Sequence, residues 1–207
     1  MKTVWMLLAI VFFFWFLIFS PWTQSFIPFW MGMSIAAFIL GLCSLLANRK
    51  ERALFKFKAK YIIVGFGSAL VLYLVFLAGG FAVKLFSFAD RGVKDIYTIR
   101  GQAPLWVIAV AIFFLIGPAE ELFWRGFIQH RLCKRYGDMA GLLAATFFYA
   151  IGHIWSFNFM LIITAGICGL FWGFIFNRYK SVWPVVISHA VWDITIFVFL
   201  PITTFTG

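Results

Sequence analysis

The sequence predicts an all-α protein, a polytopic transmembrane helical bundle of about seven spans. Three observations carry this. First, 64% of the 207 residues are hydrophobic and 12% charged, against about 45–50% and about 25% in soluble domains. Second, apolar runs close to the roughly 20 residues that cross a bilayer recur along the chain. Third, lysines and arginines gather between alternate runs, where the positive-inside rule places them. The net charge of +10 therefore marks the membrane lipid bilayer as a partner and gives no reason to expect nucleic acid. A transmembrane β-barrel would show short alternating segments instead. Residues 1–207 read as one integral-membrane domain, with N-terminal spans in 1–103 and the spans richest in buried polar residues in 104–207.

The spans follow in order. The first covers roughly Val4–Phe19 and ends at Ser20-Pro21; no small-residue cleavage site follows, so it is expected to be retained. The second covers Phe29–Ala47, and the basic run Asn48–Arg52, continued by Lys56, Lys58 and Lys60, marks the cytoplasmic side. The third runs from Tyr61 to Ala78 or Phe81. Lys84–Arg100 mixes charge with apolar residues, as an interfacial amphipathic helix or a surface loop does. If it dipped into the membrane, the spans would number eight and the amino terminus would change sides. The fourth span starts near Pro104 and runs toward Gln129, before a basic cluster in which His130 is expected to be solvated. The fifth covers Met139–Trp155, the sixth Phe159–Phe176 and the seventh Trp183–Leu200. With seven spans the amino terminus lies in the cytoplasm and the carboxyl terminus outside. Gly169 and Gly173 make a GxxxG step suited to close helix contact. Cys43, Cys133 and Cys168 are too widely spaced for a disulfide framework or a zinc pattern.

Chemistry is concentrated in Gly117-Pro118-Ala119-Glu120-Glu121-Leu122-Phe123-Trp124-Arg125. Two adjacent carboxylates and an arginine sit at bilayer depth, where each ionisable group costs about 2.5–3.5 kcal/mol on insertion scales. Glu121 and Arg125 are four apart, share a helix face and can pair. Glu120 points about 100° away and is left for another use. Pro118, lacking an N–H, is expected to kink the helix. His153, His189 and Asp193 also fall in apolar spans, and His189 and Asp193 share a helix face. Taken singly, His153 reads equally well as a core residue, and His189–Asp193 as a structural hydrogen bond. Six such residues on three spans point to one polar cavity.

A set of this kind suits hydrolysis by an activated water. A glutamate serves as base, one histidine shares the proton, and a second donates to a developing oxyanion. No serine or cysteine has a convincing base partner, so a water nucleophile is preferred to an acyl-enzyme. The alternatives are a zinc-dependent membrane protease, though HExxH is absent, a proton-coupled or ion transporter using a Glu/His/Asp relay, and a silent scaffold. A transporter would be expected to show inverted repeats, and none is visible. By helix rise, Glu120 and His189 fall in the cytoplasmic half of the membrane and His153 further outward.

Glu120-Glu121-x-x-x-Arg125, Tyr149-x-x-x-His153 and His189-x-x-x-Asp193 resemble, in order and spacing, the three motifs of the CAAX-protease and bacteriocin-processing family. These are also called Abi proteins, type II CAAX prenyl endopeptidases or glutamic intramembrane proteases. The resemblance covers the chain from about Leu105 onward. It implies a peptidase needing no metal and no cofactor. Its substrate would be a membrane-associated protein or peptide, cut near a terminus. Glu120 would be the general base, helped by His153, while His189 and residue 193 would form the oxyanion hole. Glu121, Arg125 and Tyr149 would brace the site or engage the substrate. Two positions depart from the family pattern. Tyr149 stands where phenylalanine is usual, and Asp193 where asparagine is frequent. An ionised Asp193 cannot donate to an oxyanion, so it is either protonated or there to orient His189. The compact chain points to a prokaryotic inner membrane and a non-prenylated substrate.

Overall fold

The computed structural model describes residues 1–206 and is helical throughout, with no strand among the described residues. Six helices are long and apolar enough to span a bilayer: α1 (Lys2–Phe19), α2 (Phe29–Ala47), α3 (Lys60–Val83), α5 (Leu105–Tyr136), α6 (Asp138–Ser156) and α7 (Phe159–Tyr179). A shorter apolar helix, α8 (Trp183–Phe199), completes the bundle, and α4 (Ser87–Tyr97) lies between α3 and α5. Pro28, Pro104 and Pro184 each stand at the start of a helix, where a missing N–H costs nothing. Asn158 caps α7 by accepting from the N–H groups of Met160 and Leu161.

The basic connections meet on one face. Arg131 donates to the Ala47 carbonyl at 3.0 Å, and Lys134 pairs with Glu51. Lys180 pairs with Asp138 at 2.7 Å, and the Trp183 indole donates to the Phe55 carbonyl at 2.8 Å. His130 is not solvated as expected: its side chain is 14% exposed and Nε2 lies 3.3 Å from Glu51. The reason is that α5 continues to Tyr136, two turns past the expected end, and carries His130 against the α2–α3 connection.

The opposite face holds α4 and the ends of α1, α6 and α8. Asn158 donates to the Gly92 carbonyl at 2.8 Å, Trp30 to that of Ile99 at 2.9 Å, and Arg100 to that of Phe197 at 2.6 Å. The N–H of Ile202 reaches the Tyr97 hydroxyl, and burial raises the Tyr97 phenol above its ordinary value. Thus α3 ends, and α5 begins, on the same face. The 11 residues of α4 lie along that face and do not cross, which excludes the eight-span arrangement.

Helices approach closely around the Glu-Glu segment. A Cβ on Gly41 of α2 would lie 2.9 Å from the Ala119 Cβ, and one on Gly117 would lie 3.3 Å from the Ala190 Cα of α8. Glycine at these points lets α2 and α8 clamp residues 117–121. Gly169 and Gly173 similarly admit Thr146, Leu142 and Gln129. Pro118 leaves α5 continuous. The turn ahead of it, Ile112–Ile116, widens to π geometry, with the Gly117 N–H on the Ile112 carbonyl, and this makes room for the ring.

The Lys134 ammonium holds the Glu51 carboxyl below its ordinary value. Because the native value is depressed, the pair's contribution is complete above the unfolded glutamate value of about 4.3 and fades as pH falls toward the native one. Glu51→Gln is expected to cost about 0.5–1 kcal/mol near neutral pH, as part-exposed pairs do. Thermal unfolding in detergent should show this difference shrinking below pH 4.3 or so.

Candidate active site

The two adjacent glutamates are separated by the helix. Glu121 is fully buried, and its Oε1 accepts from the Arg125 guanidinium at 2.7 Å. The same oxygen lies 2.7 Å from Nδ1 of His189. Arg125 is held between aromatic faces, its guanidinium carbon 4.8 Å from the Tyr149 ring centre and 5.4 Å from that of Trp172. It also donates to the Cys168 carbonyl at 3.4 Å. An arginine so deep in lipid needs this combination of carboxylate, carbonyl and π partners.

His189 lies between two carboxylates. Its Nε2 is 3.3 Å from Asp193 Oδ2, and Trp172 stacks on the ring with centroids 4.0 Å apart. The Trp172 indole is itself fixed by donating to Ser188 Oγ at 3.1 Å. Both ring nitrogens thus have an acceptor, and a doubly protonated ring would donate to each. Asp193 thus sits against Nε2 of His189.

Glu120 turns the other way. Its Oε2 accepts from the Tyr149 hydroxyl at 3.3 Å, the additional bond that tyrosine in place of phenylalanine permits. The carboxylate faces a cavity of about 750 Å³, whose lining includes Glu120, Tyr149, His153, His189 and Asp193. His153 ends the regular part of α6. Its Nδ1 must donate to the Tyr149 carbonyl, 2.9 Å away, because a carbonyl only accepts. In the neutral ring Nε2 is then an acceptor. Phe19 packs edge-on against the ring at 5.1 Å, with Trp15 at 6.3 Å. The difference in depth between His153 and the two other helices is bridged by the cavity itself, into which all three project.

The structure therefore brings together all seven candidates: Glu120, Glu121, Arg125, Tyr149, His153, His189 and Asp193. Sequence reasoning missed Trp172, which fixes His189, and Gln129, which donates to the Gly173 carbonyl at 2.9 Å and to Asn177 at 3.0 Å. The one available signal for Gln129 was a polar residue four positions beyond Arg125 on the same face. It also missed the wide turns Ile112–Ile116 and Leu122–Gln129, which flank the Glu-Glu segment; such turns are frequent at functional sites. Among the described residues, no three His, Cys, Asp or Glu side chains are grouped as a metal site would need.

A family model, type II CAAX prenyl endopeptidase Rce1-like, matches residues 102–195. The match covers 94 of the 207 residues, and over that segment the chain is similar to the family. The segment contains every residue of the constellation. No curated protein and no solved structure gives a significant match.

Removing one partner from a buried ion cluster leaves an uncompensated charge, at a cost of about 3–5 kcal/mol. Arg125→Ala is expected to lose stability on that scale in denaturant unfolding in detergent. A loss under about 1 kcal/mol, as for an exposed pair, would contradict the buried cluster.

Proposed function

We propose that this protein is a metal-independent intramembrane endopeptidase that cuts a membrane-associated protein or peptide near a terminus. Glu120 takes a proton from water as the hydroxide adds to the scissile carbonyl carbon. His153 Nε2 accepts a hydrogen bond from the same water and orients it. The resulting oxyanion is stabilised by the Nε2–H of His189, which it shares with or takes from Asp193, while Glu121 and Trp172 hold the ring. Glu120 then returns the proton to the departing nitrogen as the C–N bond breaks, leaving a carboxylic acid and an amine, and the acid passes its proton to the amine to give carboxylate and ammonium. Arg125 balances the charge of Glu121 and keeps His189 in register. The apolar wall, which includes Phe19, Phe29, Met33, Ile196 and Phe197, suits an apolar substrate segment.

One observation supports this above the others. Of two neighbouring glutamates, one is consumed by a buried ion cluster and the other lines a cavity that His153, with an acceptor nitrogen in its neutral ring, also lines. The test is cleavage of lipid-anchored fluorogenic peptides by the reconstituted protein. Glu120→Gln and His153→Ala are each expected to lower turnover by at least about 10²-fold, with folding unchanged by thermal melt. Full activity in either variant would remove the mechanism. Chelators are expected to leave the rate unchanged; loss of activity to them, restored by zinc, would favour metal-assisted hydrolysis.

A further inference from the structure

We infer that the cavity opens on the face of the membrane away from the cytoplasm, so that the substrate is a segment presented on that side. This rests on the peptidase reading for the word substrate, and on geometry and loop charge for the side. The cavity walls include Gln24 from the α1–α2 connection, Arg91 and Asp95 from α4, and Ser156 and Asn158 from the end of α6 and the α6–α7 connection. All three segments belong to the face opposite the basic connections. Among the described residues, none from the α2–α3, α5–α6 or α7–α8 connections lines it.

The way to the basic face is blocked. Below Glu121 and Arg125, residues Phe123, Phe127, Ile128, Leu132 and Phe176 are each no more than 1% exposed. Gln129 closes the polar path by bonding to Gly173 and Asn177. Among the described residues, the cavity is thus closed toward the basic face and walled by α4 on the other.

Charge assigns the faces. Twelve of the 17 lysines and arginines belong to Lys2 and the basic connections, four lie in the α4 region, and Arg125 is internal. The four near α4 are accompanied by Asp90 and Asp95. A bias of this size in short loops places the basic face in the cytoplasm. The entrance consequently faces out, with α4 as one wall and the guanidinium of Arg91 and carboxylate of Asp95 at its rim.

The test reads orientation and chemistry separately. Asp95→Cys and Gln24→Cys, each in a protein carrying Cys43→Ala, Cys133→Ala and Cys168→Ala, are treated in intact cells with a membrane-impermeant maleimide. Both are expected to be labelled without permeabilisation, whereas Lys58→Cys is labelled only after it. Labelling of Asp95→Cys and Gln24→Cys only after permeabilisation would overturn the inference. Lipid-anchored fluorogenic peptides are then added to right-side-out or to inverted vesicles holding the wild-type protein. Cleavage is expected in the former and at least tenfold less in the latter, and Glu120→Gln abolishes it; the reverse preference would also overturn the inference. Outside labelling with no cleavage in either vesicle would overturn the peptidase reading and leave the orientation standing.

Discussion

A carboxylate cannot be left alone inside a bilayer, and this chain puts two side by side. The helix resolves the difficulty by its own geometry, since consecutive side chains diverge by about 100°. Glu121 goes into protein, where Arg125 and His189 share one of its oxygens. Glu120 goes to the cavity, where the Tyr149 hydroxyl donates to it. Much else follows from keeping that division. The close passes at Gly41 and Gly117 bring α2 and α8 against the segment. Trp172 stacks on the His189 ring between its two carboxylate partners. The wide turns on either side let α5 pass Pro118 unbroken while holding both glutamates at their angles.

Much of this was legible in the residues. Hydrophobic run length and the placement of lysine and arginine marked out the spans, because lipid permits few alternatives for an apolar chain. The Glu121–Arg125 pair and the freedom of Glu120 followed from i,i+4 spacing, which α5 obeys despite its wide turns. What could not be read was anything set by packing between distant segments. Trp172 is one tryptophan among ten, and only the approach of α7 to α8 makes it a clamp on His189. His130 stood next to arginine and looked solvated. It is covered because α5 runs on and meets Glu51 from another connection. The span count turned on α4, whose amphipathic sequence fits both a dip and a surface helix. The bond of Asn158 to its Gly92 carbonyl, and that of Arg100 just after it to the end of α8, decide for the surface.

Asp193 shows how geometry narrows a choice that residue type leaves open. Against His189 Nε2 it has an orienting place, and an oxyanion approaching that nitrogen would have to displace or share the bond.

The division of the two glutamates is most directly measured by chemical access. The folded protein is treated with a water-soluble carbodiimide and a small amine, and the peptide spanning 117–125 is sequenced by fragmentation mass spectrometry. Modification is expected at Glu120 and not at Glu121. Equal modification of the two, or protection of Glu120 with reaction at Glu121, would contradict the separation on which the proposed site depends.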